Sequence, residues 1–525
     1  MSTKILATPA AITSPQHRAP SWLLLLPLVL VVPLAAGLLA LWGNFDGLYG
    51  QDPYAYYNYA VGPLRQSLLR LEAPPPFYWP PGYSLLVTLV SFVVGTGPLA
   101  GQLVSLLCGA LVPLLTALLA HEVWSARQPF SAGTGNSLFV PLVAGLVAAF
   151  HGQLWQSSTI IMSDTAGLAA ATLGIWALAR YGRLGTLRWL LLAAGAVAYS
   201  VLVRWPLAPL ALPAAAYALV VLSRQERRRA LAHGVAAALL VGLVLGPLLF
   251  ATFAGVRGPN GDGRAFGSSF EVFSWNPLNA LRRDFVTLEG YYHYKLPVGL
   301  YYAIAPARSF AFTPLLAAFA LPGLYTLARR RTLQSLLLLV GWAGVIYLFL
   351  AGFAYQNFRY TLAYVPPIAI LIAIGFATAR EAARGRANGL LALVLVAGLA
   401  WMAVGGVELT RDFIERKQLD LAAVRWTESQ LPPDARLLTF GITLAFEHYT
   451  ALETVEFYNL TADDLARLAS DGHPTFLLLE LDSIEQQWRD RPPSENYHWL
   501  RDNAGLEALG QHAPYTLFRV GGATP

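Results

Sequence analysis

The chain has 525 residues, 56% hydrophobic and 13% charged, about half the charged share of an ordinary soluble domain. A net charge of +6 is distributed by loop rather than gathered into one patch, so it marks membrane topology and excludes a nucleic-acid binder. The lone cysteine, Cys108, lies in an apolar window and excludes a disulfide framework or a cysteine metal site.

Windows free of Asp, Glu, Lys and Arg fall at 21–45, 98–120, 128–163, 189–203, 205–223, 230–256, 309–328, 332–358, 360–379 and 387–407. All but 189–203 approach or exceed the roughly 20 residues a bilayer-crossing helix needs. The first is too long for a cleaved signal peptide and counts as the first span. A further span opens at Asp164. Residues 81–97 are short enough to dip and return. Were they to cross, every Arg-rich loop after them would change sides, against the charge rule. The expectation is a mainly α polytopic bundle of about eleven spans.

Sixteen basic residues, among them Arg180, Arg183, Arg224, Arg227, Arg228, Arg229 and Arg380, fall in alternate loops beside only Glu122, Glu226 and Glu381. These loops are placed in the cytoplasm together with the N-terminus. Charge then divides the chain. Residues 1–408 hold 26 basic and 12 acidic residues, whereas 409–525 hold 10 and 18. The expected domains are therefore 1–408, embedded in the membrane, and 409–525, a small extracytoplasmic α/β domain. In the latter, strand-like runs at 436–441, 453–459, 474–481 and 514–520 alternate with helical patterns near 417–430 and 461–470. A Gly-rich stretch at 255–269 is expected to open a long external loop, 255–308.

The unusual polar residues gather in loops assigned to the outside. Asp46 and Asp52 follow the first span, Asp164 opens the fourth, Arg204 follows the fifth, and Arg359 precedes the tenth. Loop 255–308 adds Glu289, His293 and Lys295 in an aromatic run. A carboxylate at the bilayer boundary is costly and asks for a function. Each residue also has a plain structural reading. Asp52 before Pro53 reads as a helix N-cap, and Ser163-Asp164-Thr165 as another. Arg204 reads as a snorkelling cation and Arg359 as an interface anchor. His293 reads as an interfacial histidine, and the tyrosines at 54–59 and 291–302 as an aromatic belt.

Asp52-Pro53-Tyr54-Ala55-Tyr56-Tyr57-Asn58-Tyr59, then Tyr78-Trp79-Pro80-Pro81-Gly82-Tyr83, Met162-Ser163-Asp164, Arg204-Trp205-Pro206 and Phe358-Arg359-Tyr360 before Pro366-Pro367 resemble, in order and spacing, the GT-C class of polyprenyl-phosphate-dependent membrane glycosyltransferases. That class includes protein O-mannosyltransferases, aminoarabinose transferases and oligosaccharyltransferases. The resemblance covers roughly residues 20–380. It implies transfer of a sugar from a polyprenyl-phosphate donor to an acceptor hydroxyl on a glycan, lipid or protein of the cell envelope. It implies Asp52 as catalytic base or acceptor-side ligand, Asp164 as second catalytic acid, and Arg359 or Arg204 on the donor phosphate. Tyr57, Tyr83, His293 and Lys295 join them as substrate-binding candidates. Trp79 stands where the aminoarabinose branch has a lysine, and Gln51-Asp52 where the mannosyltransferase branch has Asp-Glu, so donor sugar and branch stay open. No cofactor is expected beyond a divalent cation, Mg or Mn, whose place depends on Asp52 and Asp164 lying together. The alternative is a transporter or flippase for a lipid-linked sugar, in which the same acids line a path.

Overall fold

The computed structural model describes residues 21–125, 138–253, 275–329, 333–383 and 386–521. The Gly-rich segment 255–269 lies outside the described residues. Among them, seven helices are long and apolar enough to cross a bilayer: Leu23–Trp42, Leu99–Ser125, Trp205–Leu222, Arg227–Phe250, Leu333–Ala351, Phe358–Ala382 and Ala387–Gln430. Shorter apolar helices, Gly82–Val94, Phe139–Ala149, Leu187–Val203 and Val298–Ala307, pack among them, as does the 22-residue helix Ser163–Leu184. The chain is an integral membrane protein, mainly helical, with one small sheet domain at its C-terminus.

Leu30, Leu34, Leu38 and Leu41 on the first long helix stay exposed, as do Leu239 and Leu243 on Arg227–Phe250. Apolar surface left uncovered on helices of this length suits a lipid solvent. The helix Gly82–Val94 has 13 residues, too few to span, and packs along Leu99–Ser125.

Two expected spans are broken. Window 128–163 contains Phe139–Ala149 and Gly152–Thr159, with an extended residue, His151, between them. At the break the Gly152 N–H donates to the Phe310 carbonyl at 2.6 Å. A Cβ on Gly152 would stand 2.5 Å from the Cα of Gly406, so this crossing tolerates only glycine. Window 309–328 divides into Thr313–Ala317 and Ala320–Arg329. Pro322 cannot accept the preceding turn as helix, because its ring clashes four residues back.

The tyrosines of Gln51–Tyr59 do not form a belt at the lipid headgroups. Tyr54, Tyr56, Tyr57 and Tyr59 are each under a tenth exposed. The ring of Tyr59 stacks on Phe77 at 4.1 Å, and those of Tyr54 and Tyr57 meet His448 of the C-terminal domain. Protein rather than lipid covers them.

A hairpin, β1 (Asp284–Thr287) and β2 (Gly290–His293), lies within the long loop. The C-terminal sheet contains β3 (Arg436–Thr439), β4 (Glu453–Glu456), β5 (Thr475–Leu479), β6 (Leu506–His512) and β7 (Tyr515–Val520), in the order β4-β3-β5-β7-β6. β4, β3, β5 and β6 run in one direction, and β7, between β5 and β6, runs antiparallel to both neighbours. The four expected strands form, and β6 is an addition. Leading into this sheet, one helix runs from Arg386 to Gln430. Its 45 residues span about 67 Å at 1.5 Å per residue, more than twice a bilayer core. Position 408 falls inside it, and its far end rises into the C-terminal domain.

That junction is closed by a buried charge cluster. The Lys417 ammonium, 5% exposed, pairs with the Asp46 carboxylate and donates to the Tyr449 hydroxyl at 2.7 Å. Tyr449 in turn donates to Asp46. Asp46, read from the sequence as a loop carboxylate, therefore joins the first span, the long helix and the sheet domain.

Candidate active site

Asp52 sits in the first turn of Gln51–Tyr59 but does not cap it. The cap position is Gly50, at φ 74°, a left-handed backbone that favours glycine. The carboxylate is thus free of capping duty and turns into a cavity of about 520 Å³. Arg359 faces it there. Its Nη1 and Nη2 reach Asp52 Oδ2 at 3.3 and 3.4 Å. Arg359 is held from its own backbone, because the Asn357 side chain caps Phe358–Tyr364 by accepting from the Arg359 N–H at 2.9 Å.

Asp164 lies beneath this pair, also in a first helical turn and also not a cap. Its carboxylate is 1% exposed and pairs with Arg204 Nη2 at 2.9 Å and Arg359 Nε at 3.8 Å. Helix dipole and two guanidinium groups together favour a negative charge there. Arg204 does not snorkel. It lies 12% exposed, donates to Ser163 Oγ at 3.2 Å and rests over the Tyr360 ring at 5.3 Å, which Arg359 approaches at 5.5 Å. Acids and cations from four separate chain regions therefore meet at one end of the bundle, and only Asp52 and Arg359 of the four line the cavity.

The other candidates are dispersed. The Tyr57 hydroxyl donates to the Thr96 carbonyl and Tyr83 to the Gly101 carbonyl, both in the core. His293 lies exposed beside Asp284 at a further cavity that does not include Asp52 or Arg359, and Lys295 follows β2, exposed. Absent from the candidate binding set but lining the cavity are Glu289, Gln153, Gln156, Asn357, Tyr78 and Trp79. Glu289 accepts from the Tyr292 hydroxyl at 3.1 Å, and burial, strengthened by the nearby Asp52, pushes its carboxyl above the usual glutamate value. An acid inside an aromatic run was the one signal for it.

The pair Asp52 and Asp164 does not fit a divalent cation. Asp164 is committed to two arginines, and a cation would meet both guanidinium groups. Among the described residues no cluster of three or more His, Cys, Asp or Glu is placed to hold a metal.

No family model matches the chain, and no curated protein does. Among solved structures it is similar to ArnT from Cupriavidus metallidurans. The crystal structure bound to undecaprenyl phosphate aligns over 95% of this chain and 99% of that one, with TM-score 0.61 and 13% identity. The apo crystal structure covers 95% and 98%, with TM-score 0.61 and 14% identity. The arabinosyltransferase EmbB from Mycobacterium smegmatis aligns over 68% of this chain and 31% of its own, with TM-score 0.42 and 16% identity. Coverage of nearly the whole chain by the first two extends to the C-terminal sheet as well as the helices. The chain has the fold of ArnT, and the expected mainly helical membrane bundle with a small C-terminal α/β domain is borne out.

Proposed function

We propose that the protein is an integral-membrane glycosyltransferase that moves a sugar from a polyprenyl-phosphate donor to an acceptor hydroxyl. The observation that carries this reading is the pairing of Asp52 and Arg359 on the wall of one cavity. Asp52 accepts the acceptor's proton as its oxygen bonds to the anomeric carbon. The bond from that carbon to the phosphate oxygen breaks, and the polyprenyl phosphate departs with the charge it gains. Arg359, with Arg204 behind it, stabilises that charge. Asp164 holds both arginines in place. The likeness in fold to a protein crystallised with undecaprenyl phosphate supports a donor of that chemistry.

Residues 1–408 form the catalytic, membrane-embedded part and 409–525 the external domain. The Arg-rich loops put the N-terminus in the cytoplasm and the cavity on the opposite side. A carrier reading lacks support, because Asp52, Asp164, Arg204 and Arg359 gather at helix ends and not at the bilayer midplane. The test is transfer from a radiolabelled polyprenyl-phosphate sugar in liposomes. Asp52→Asn and Asp52→Ala are expected to lose transfer while retaining donor binding. Unimpaired transfer by both removes Asp52 from the mechanism.

A further inference from the structure

A second cavity, of about 580 Å³, lies between the membrane-embedded part and the C-terminal domain. It shares Tyr49, Gly50, Gln51 and Glu289 with the cavity of Asp52 and Arg359. The two are therefore consecutive chambers, and a ligand in the outer one meets the reacting groups past Glu289. Their volumes lie in the range of small-ligand sites.

The walls of the outer chamber specify chemistry. Glu289, Asp420 and Glu480 present three carboxylates against one guanidinium, Arg416. Tyr49, Trp488 and Tyr515 supply aromatic faces. The Tyr515 hydroxyl reaches Asp420 Oδ1 at 3.4 Å, and the Trp488 ring is fixed edge-on to Phe440 at 4.7 Å. Rigid rings beside carboxylates match a molecule with flat C–H faces and many donors. A lipid tail would bury the acids without partners, and an anionic acceptor would meet like charge.

Resting on the glycosyltransferase reading above, we infer that the outer chamber is the acceptor subsite and that it takes an amine-bearing saccharide. The ammonium groups pair with Glu480 and Asp420, the rings lie against Trp488 and Tyr49, and Glu289 marks where the acceptor enters the inner chamber. Burial raises both Glu289 and Glu480 above the ordinary glutamate value, so ion-pairing with an ammonium relieves a cost already present in the free protein.

Binding to the full-length protein in nanodiscs without donor tests this by isothermal titration with four probes: a glucosamine tetramer, maltotetraose, a galacturonic acid tetramer and tetralysine. The glucosamine tetramer is expected to bind best, by about tenfold or more over each of the others. Glu480→Gln is expected to weaken it by about tenfold and Arg416→Gln to tighten it. Arg416 is exposed and Glu480 makes no side-chain cap, so neither change threatens folding. Equal binding of all four probes, tetralysine equal to the saccharide, or no response to either substitution overturns the assignment. Undecaprenyl phosphate binding is measured in the same preparations. Its absence in the parent protein counts against the glycosyltransferase reading, whereas its persistence in a protein blind to the saccharides counts against the acceptor subsite alone.

Discussion

The helix Ser163–Leu184 carries charge at both ends, and the ends are built to different purposes. At the first, Asp164 binds Arg204 and Arg359, and Arg359 continues to Asp52 on the cavity wall. At the last, about 24 Å away along the axis, Arg180 and Arg183 close on Glu122 at 2.9 and 3.2 Å. Arg180 is packed against the rings of Trp176 and Trp189. Both clusters hide a carboxylate: 1% exposed at Asp164 and 2% at Glu122. They differ in their arginines. Those at Glu122 reach solvent, 28% and 40% exposed, and spend their donors on that one acid. Those at Asp164 are 12% and 22% exposed, and one is shared with a second acid in a cavity. An ion pair that only fastens a helix satisfies itself, whereas one that serves a site leaves a charge facing space.

Breaking each cluster sharpens the contrast. Asp164→Asn leaves the Arg204 guanidinium without its carboxylate and Arg359 with Asp52 alone, and thermal or denaturant unfolding in detergent is expected to show a loss of about 3 kcal/mol. Arg359→Lys keeps the charge but loses the guanidinium fork that reaches the Asp52 carboxylate and is proposed to take the donor phosphate. Steady-state assays are expected to show a roughly tenfold to hundredfold fall in kcat/KM for the donor, with unfolding near that of the parent. Glu122→Gln is expected to cost less than Asp164→Asn, about 1–2 kcal/mol, because its arginines can turn to water. Correctly folded Glu122→Gln protein should transfer sugar at the parent's rate. A large fall in kcat there would erase the distinction between the two ends.

The smallest effect belongs to Glu289. Its carboxyl in the folded protein titrates above the ordinary 4.5, so the folded state holds its proton to higher pH than the unfolded chain. Stability is therefore expected to fall as pH rises from about 4.5 through the raised value. Glu289→Gln should flatten that part of a plot of Tm against pH. An unchanged slope would mean that the group is not buried as described.

Much of this was legible in the chain. Uncharged windows announced the membrane helices, and alternating apolar runs marked β3, β4, β5 and β7. Asp52, Arg204 and Arg359 stood out as charges beside spans, although sequence could not say that Asp164 would be sealed below the cavity. What escaped has physical reasons. β6, Leu-Glu-Ala-Leu-Gly-Gln-His, is a partly exposed edge strand with little apolar alternation to reveal it. The break at His151 depends on a tertiary contact that an uninterrupted apolar window conceals, whereas the one near Pro322 follows from the proline ring itself and was present in the sequence. The tyrosines of 54–59 have the composition of an interface belt, and only the arrival of His448 and Phe77 buries them. Glu289 gains meaning from a hairpin that folds back over the cavity, and Asp46 from a lysine 371 positions later.

That last contact bears on modularity. Asp46 precedes Asp52 by only six positions, and its carboxylate is clasped by Lys417 and Tyr449. The C-terminal domain thus seats the loop that carries Asp52, the proposed base. A chimaera that exchanges everything beyond Gln430 for a relative's domain would discard Tyr449, and with it one of the anchors that register the base against the arginine. The sheet domain is part of the catalyst's frame, not cargo at the end of the chain.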